Sequence, residues 1–66
     1  MSESTRIWLR QLQEAKSLVL EARNGGLRYI DRGGALGEAA EKIDAMYWDI
    51  EYVIGVVMVE LRSVSD

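Results

Sequence analysis

The second half of the chain carries apolar residues on two opposite sides at helical spacing. One stripe runs from Leu36 to Leu61 and repeats every three or four residues, as the core side of a helix does. The opposite stripe begins with Glu38 and Glu41 and then turns apolar, through Trp48, Tyr52, Gly55, Val56 and Val59. A helix that is apolar all round must be covered all round. This pattern therefore predicts a long helix that packs against more than one neighbour.

A shorter amphipathic pattern covers about residues 5–23. The positions on the apolar side of this first helix include Trp8, Leu12 and Val19. The sequence Asn24-Gly25-Gly26 follows, and both residue types tolerate the left-handed conformation that ends helices. We therefore expect the first helix to end near residue 23 and a connector to occupy residues 24–35.

A second helix is predicted over about residues 36–62. Residues 53–59 are rich in β-branched side chains, which in isolation favour a strand. However, the apolar stripe continues through this segment in phase, and no turn signal separates it from Glu41. Gly55 within the segment costs about 1 kcal/mol relative to Ala, so we expect it to have a packing reason.

The length of the chain favours self-association. Its 66 residues allow one domain, over residues 1–66, and a domain of this size is marginal without disulfides, metals or oligomerisation. The chain has no Cys and no His, which excludes disulfides and thiolate or imidazole metal sites. We expect an all-α antiparallel helical hairpin that forms a homodimeric four-helix bundle. The residues predicted for the core of this oligomer are Trp8, Leu12, Val19, Ile43, Met46, Tyr47, Ile50, Val53, Ile54, Val57 and Leu61.

The charges divide unevenly between the two halves. Residues 1–34 carry six basic and four acidic residues, for a net charge of +2. Residues 35–66 carry two basic and seven acidic residues, for a net charge of −5, so the whole chain has a net charge of −3. In an antiparallel hairpin these halves lie side by side and partly neutralise each other.

The candidate chemistry is sparse. Without His or Cys, general acid–base catalysis would depend on carboxylates, Lys42 or a tyrosine. Glu38, Glu41 and Asp44 have the i, i+3 spacing that could hold Mg²⁺, which makes a metal-dependent all-α phosphohydrolase the third alternative. The spacing is similar to the ExxD element of the all-α nucleotide pyrophosphatases, but that family also carries paired glutamates on an earlier helix, where this chain has the isolated Glu14 and Glu21. We therefore predict no catalytic residue, no cofactor and no metal, and a protein that is not an enzyme.

The second alternative is a nucleic-acid-binding regulator. Arg6 and Arg10 lie on the polar side of the first helix, where they could follow a phosphate backbone. In length and hairpin form the chain is similar to the Rop type of plasmid regulator, a dimeric helical hairpin that binds RNA. Nucleic-acid-binding proteins usually carry an excess of positive charge, whereas this chain is acidic, so we expect no nucleic-acid partner.

The favoured function is a non-enzymatic regulatory or adaptor protein, of which a phage- or plasmid-borne inhibitor would be one form. Trp48 and Tyr52 stand one helical turn apart with Gly55 close by, which is the pattern of a protein-binding hot spot. The predicted partner-binding residues are Trp48, Tyr52, Gly55, Val56 and Val59.

The same sequence predicts a cytoplasmic location. The first residues lack the basic start and apolar core of a secretory signal. The uncharged run over residues 53–59 is far shorter than the ~20 residues that span a bilayer. We therefore expect no membrane association, and the expected partners are a second copy of the chain and another protein.

Overall fold

The computed structural model describes the backbone of residues 2–64 and the side chains of residues 3–63. Helix α1 spans Ser2–Ile30 and helix α2 spans Gly34–Val64. Gly26 of α1 lies against Ala40 of α2. Lys16, which comes earlier in α1, pairs with Glu51, which comes later in α2. The helices are therefore antiparallel, and the predicted all-α hairpin is confirmed.

The turn between the helices is shorter and later than the sequence predicted. It consists of Asp31, Arg32 and Gly33, not residues 24–35. Gly33 and Gly34 have φ values of 74° and 73°, in the left-handed region that residues other than Gly rarely adopt. The carbonyl oxygen of Gly33 then accepts the first backbone hydrogen bond of α2, from the N–H of Gly37 at 3.2 Å.

The prediction that Asn24-Gly25-Gly26 ends the first helix is wrong, because α1 continues through all three residues. A Cβ on Gly26 would lie 3.3 Å from the Cβ of Ala40, so this glycine lies at a close contact between the helices. Beyond it, Tyr29 and Ile30 are half-buried and extend the contact with α2. This packing offsets the intrinsic cost of two helical glycines, about 1 kcal/mol each. The first helix also begins three residues earlier than expected, at Ser2.

The interpretation of residues 53–59 as helix is confirmed. They lie within α2, which extends about two residues beyond each predicted end. Two of the three buried hydrophobic side chains among the described residues, Ile54 and Val57, come from this segment, and Ala40 is the third. Tertiary packing along one side of α2 has therefore overridden the local preference for a strand.

The hairpin is a single layer of two helices. Its principal extents are 51 × 15 × 13 Å, and its radius of gyration is 15.1 Å, compared with about 11 Å for a typical folded chain of this length. No helix in the described part of the chain is long and apolar enough to cross a membrane. Because each helix has one neighbour, large parts of both helices have nothing packed against them within the chain.

Candidate interaction surface

Ion pairs between the helices lie along one side of the hairpin, which we call the ion-paired side. Lys16 Nζ lies 3.0 Å from Glu51 Oε2, and the Nε of Arg23 donates a hydrogen bond to Asp44 Oδ1. The hydrogen bond with Glu51 raises the pKa of Lys16 above its ordinary value of 10.5. The two pairs join basic residues of α1 to acidic residues of α2, which is the neutralisation expected from the charges of the two halves.

Aromatic rings extend the ion-paired side. The guanidinium of Arg23 lies 5.4 Å from the centre of the Tyr47 ring and 5.9 Å from that of Trp48, within the range of cation–π contacts. The Tyr47 and Trp48 rings meet edge to face, with their centres 5.1 Å apart and an angle of 77° between their planes. This contact fixes one edge of Trp48, while 55% of the residue remains exposed.

The outer face of α2 carries the five predicted partner-binding residues. Tyr52 is 74% exposed, and Trp48, Val56 and Val59 are also exposed. A Cβ on Gly55 would meet no atom within 4 Å, so no contact within this chain explains the glycine. An open groove of about 430 Å³ runs along this face, which we call the outer groove; it is lined by Tyr52, Gly55, Val56, Val59 and Glu60.

A second groove adjoins the first, and we call it the side groove. It has a volume of about 410 Å³ and is lined by Thr5, Trp8, Tyr52, Val53, Val56, Val57 and Glu60. Tyr52, Val56 and Glu60 line both grooves and lie four residues apart, so they form a ridge between them. The two grooves therefore share one ridge and open on neighbouring sides of the C-terminal half of α2.

The residues predicted for the oligomer core have different exposures in the single chain. Ile54 and Val57 are buried between the helices, whereas Trp8 and Met46 are 50% and 52% exposed. The remaining seven are half-buried: Leu12, Val19, Ile43, Tyr47, Ile50, Val53 and Leu61. The hairpin on its own thus covers only part of the apolar surface that the sequence assigned to a core.

The structure also brings together residues that the sequence had separated. Trp8 was predicted for the oligomer core and Tyr52 for the partner surface, yet both line the side groove. Thr5 lines the side groove and Glu60 lines both grooves, and neither residue was predicted for any site. No spacing rule connects residues near the two ends of the chain, because their proximity depends on where the turn falls.

The acidic and basic candidates remain dispersed on the surface. Glu38 and Glu41 are exposed, while Asp44 is engaged with Arg23. Over residues 2–64, no group of three acidic side chains is placed to hold a metal ion. Arg6 and Arg10 are both exposed on α1.

Comparisons with protein families, with curated proteins and with solved structures find no match to this chain.

Proposed function

We propose that this protein is a non-enzymatic regulatory or adaptor protein that acts in the cytoplasm by binding another protein through the outer face of α2. The observation that carries this proposal is the exposure of Trp48 and Tyr52, at 55% and 74%, beside an open groove along the same helix. Trp and Tyr are enriched at the centres of protein interfaces, where they bury a large area at a small cost in side-chain entropy.

Gly55 supports a helical or extended partner on this face. It lies on the outer groove with open space above it, so a partner backbone can approach α2 more closely there than over any larger residue. Helix-in-groove binding relies on such contacts between a few apolar anchors and a shallow channel. Trp48 and Tyr52 would be the anchors, and Gly55 would set how closely the partner backbone approaches α2.

The proposed active form is a homodimer, most simply a four-helix bundle. Only three hydrophobic side chains are buried among the described residues of one chain, and a two-helix layer of this size has too small a core for independent stability. The half-exposed Trp8 and Met46 are large apolar residues that a second copy would cover.

Alanine substitution of the aromatic pair tests the proposed function. The partner is first captured from the native host and identified by mass spectrometry, and its affinity is then measured with purified components. We expect Trp48→Ala and Tyr52→Ala each to weaken binding by about 2 kcal/mol or more, the usual scale of interface hot spots. Both variants should keep the helical content and the oligomeric state of the wild type.

Leu36→Ala is the matched control, because Leu36 is an exposed apolar residue of α2 near the turn and far from the outer groove. It should leave the affinity unchanged. Equal binding by the wild type and the two aromatic variants would refute the assignment of this face to a partner.

A further inference from the structure

We propose that a second copy of the chain docks on one particular side of the hairpin, opposite the ion-paired side. This inference rests on the homodimer of the proposed function and adds where its interface lies. We call this surface the uncharged side. Its main residues are Trp8, Ala15 and Ala22 of α1 and Met46 and Val53 of α2.

Helical phase places these residues together. Trp8, Ala15 and Ala22 recur every seven residues along one flank of α1, and Lys16 and Arg23 recur along its other flank. On α2, Met46 and Val53 occupy the flank opposite that of Asp44 and Glu51, again at a seven-residue spacing. The side groove confirms the match between the helices, because Trp8 lines it together with Val53 and Val57.

Charge favours the uncharged side as the interface. In a two-fold dimer the same patch of both copies meets, so a patch that contains charges brings equal charges close to one another. Docking through the ion-paired side would also remove Lys16, Glu51, Arg23 and Asp44 from water, at a desolvation cost that ion pairs often fail to recover. The uncharged side contains neither ion pair. Among the residues that line its side groove only Glu60 is charged, and this residue is exposed, so its carboxylate can stay in water at the edge of the interface.

The exposed area of the chain matches what a dimer needs. The hairpin exposes 5076 Å², whereas an average folded monomer of its 7.5 kDa mass exposes roughly 4,200 Å². The excess is roughly 900 Å², which is close to the ~800 Å² that each partner buries in a protein interface of standard size. One copy of the same hairpin is therefore sufficient to cover the excess.

The sizes of the residues on the uncharged side also suit helix packing. Its two largest residues, Trp8 and Met46, are each about half exposed in the single chain. Ala15 and Ala22 leave space on the same flank into which large side chains of the other copy can pack. Tyr52 and Val56 line both grooves and therefore border this interface. Gly55 and Val59 line the outer groove alone, so the outer side of that groove stays open to another protein in this arrangement.

The two tryptophans allow a direct test, because Trp8 lies on the uncharged side and Trp48 does not. Trp48→Phe leaves Trp8 as the single fluorophore, and Trp8→Phe leaves Trp48. Both variants are first confirmed as dimers by sedimentation, and their fluorescence is then quenched with acrylamide. We expect the quenching constant of Trp8 to be several-fold lower than that of Trp48, because the second copy covers Trp8.

A shielded Trp48 and a freely quenched Trp8 would overturn the assignment while leaving the homodimer intact. A folded monomer in the sedimentation step would instead refute the homodimer itself, so the two failures are distinguishable.

A charge introduced at Met46 provides an independent test. We expect Met46→Glu to raise the dimer dissociation constant by about a hundredfold or more, since it places an unpaired charge within the interface. If dissociation also unfolds the hairpin, helical content will recover as protein concentration is raised. Ala45→Glu, next in sequence but on the exposed outer side of α2, should leave the dissociation constant unchanged. A Met46→Glu dimer as tight as the wild type would overturn the proposal.

Discussion

The carbonyl oxygen of Tyr29 lies so close to Gly37 that a Cβ on this glycine would be 2.9 Å from it. The same oxygen accepts a hydrogen bond from the backbone N–H of Arg32 at 3.1 Å. The carbonyl therefore cannot move away without disturbing the end of α1. This contact between the last turn of α1 and the first turn of α2 requires a residue without a side chain.

Gly37→Ala should consequently destabilise the protein by about 1–3 kcal/mol, the usual cost of forcing extra atoms into a packed contact. Gly25→Ala is the control, because a Cβ at Gly25 meets no atom within 4 Å. That change should stabilise α1 by up to about 1 kcal/mol through helix propensity alone. Urea denaturation of both variants gives the two free energies of unfolding, and a change of the same sign in both would contradict this account of Gly37.

Gly55→Leu should separate folding from partner binding. Since nothing lies within 4 Å of a Cβ at this position, the leucine should leave the melting temperature unchanged or raise it, because Leu favours helix more than Gly does. The same bulk should fill the outer groove and abolish partner binding. Thermal melting followed by circular dichroism, together with partner affinity, measures both effects. A lower melting temperature with loss of the homodimer would assign this face to self-association.

The Lys16–Glu51 pair should make stability depend on alkaline pH. The hydrogen bond with Glu51 raises the folded-state pKa of Lys16. The contribution of this pair to the free energy of unfolding is therefore complete when the pH is below 10.5, the ordinary pKa of the lysine. It is lost as the pH rises through the higher folded-state value. The melting temperature of the wild type should therefore fall slightly more above pH 10.5 than that of Lys16→Met. The two proteins differ only at position 16, so the difference between the two curves gives the contribution of Lys16.

Nucleic-acid binding should be absent at physiological salt. Arg6 and Arg10 are exposed, but the net charge of −3 repels a phosphate backbone. Filter binding or fluorescence anisotropy with RNA and DNA should show no complex at micromolar protein. A tight complex that weakens steeply with added salt, and that the double variant Arg6→Ala with Arg10→Ala abolishes, would favour the regulator of the Rop type.

The sequence predicted the two-helix architecture because periodicity is a property of each helix taken alone. The stripe from Leu36 to Leu61 kept its phase through residues 53–59, so the helix there could be predicted despite its β-branched composition. The position of the turn could not be predicted in this way. Asn24-Gly25-Gly26 carries a local signal for the end of a helix, whereas in the structure this segment stays helical and Gly26 lies against Ala40 of α2.

The misplaced turn also explains why the side groove was missed. In a hairpin the turn sets which residues of the two helices face each other, so an error in its position shifts every pairing. Trp8 and Tyr52 are 44 residues apart, and with the turn at Asp31–Gly33 they line one groove. The exposure of Tyr52 and Trp48, in contrast, follows from their stripe along α2, which the sequence shows directly.

Sedimentation equilibrium of the wild-type protein at micromolar concentration tests the central claim most directly. The small core of the hairpin and its exposed apolar surface predict a mass of twice the 7.5 kDa of one chain. Circular dichroism of the same samples should show that helical content and the dimer are lost together on dilution. A fully helical species that sediments as one chain would contradict the account.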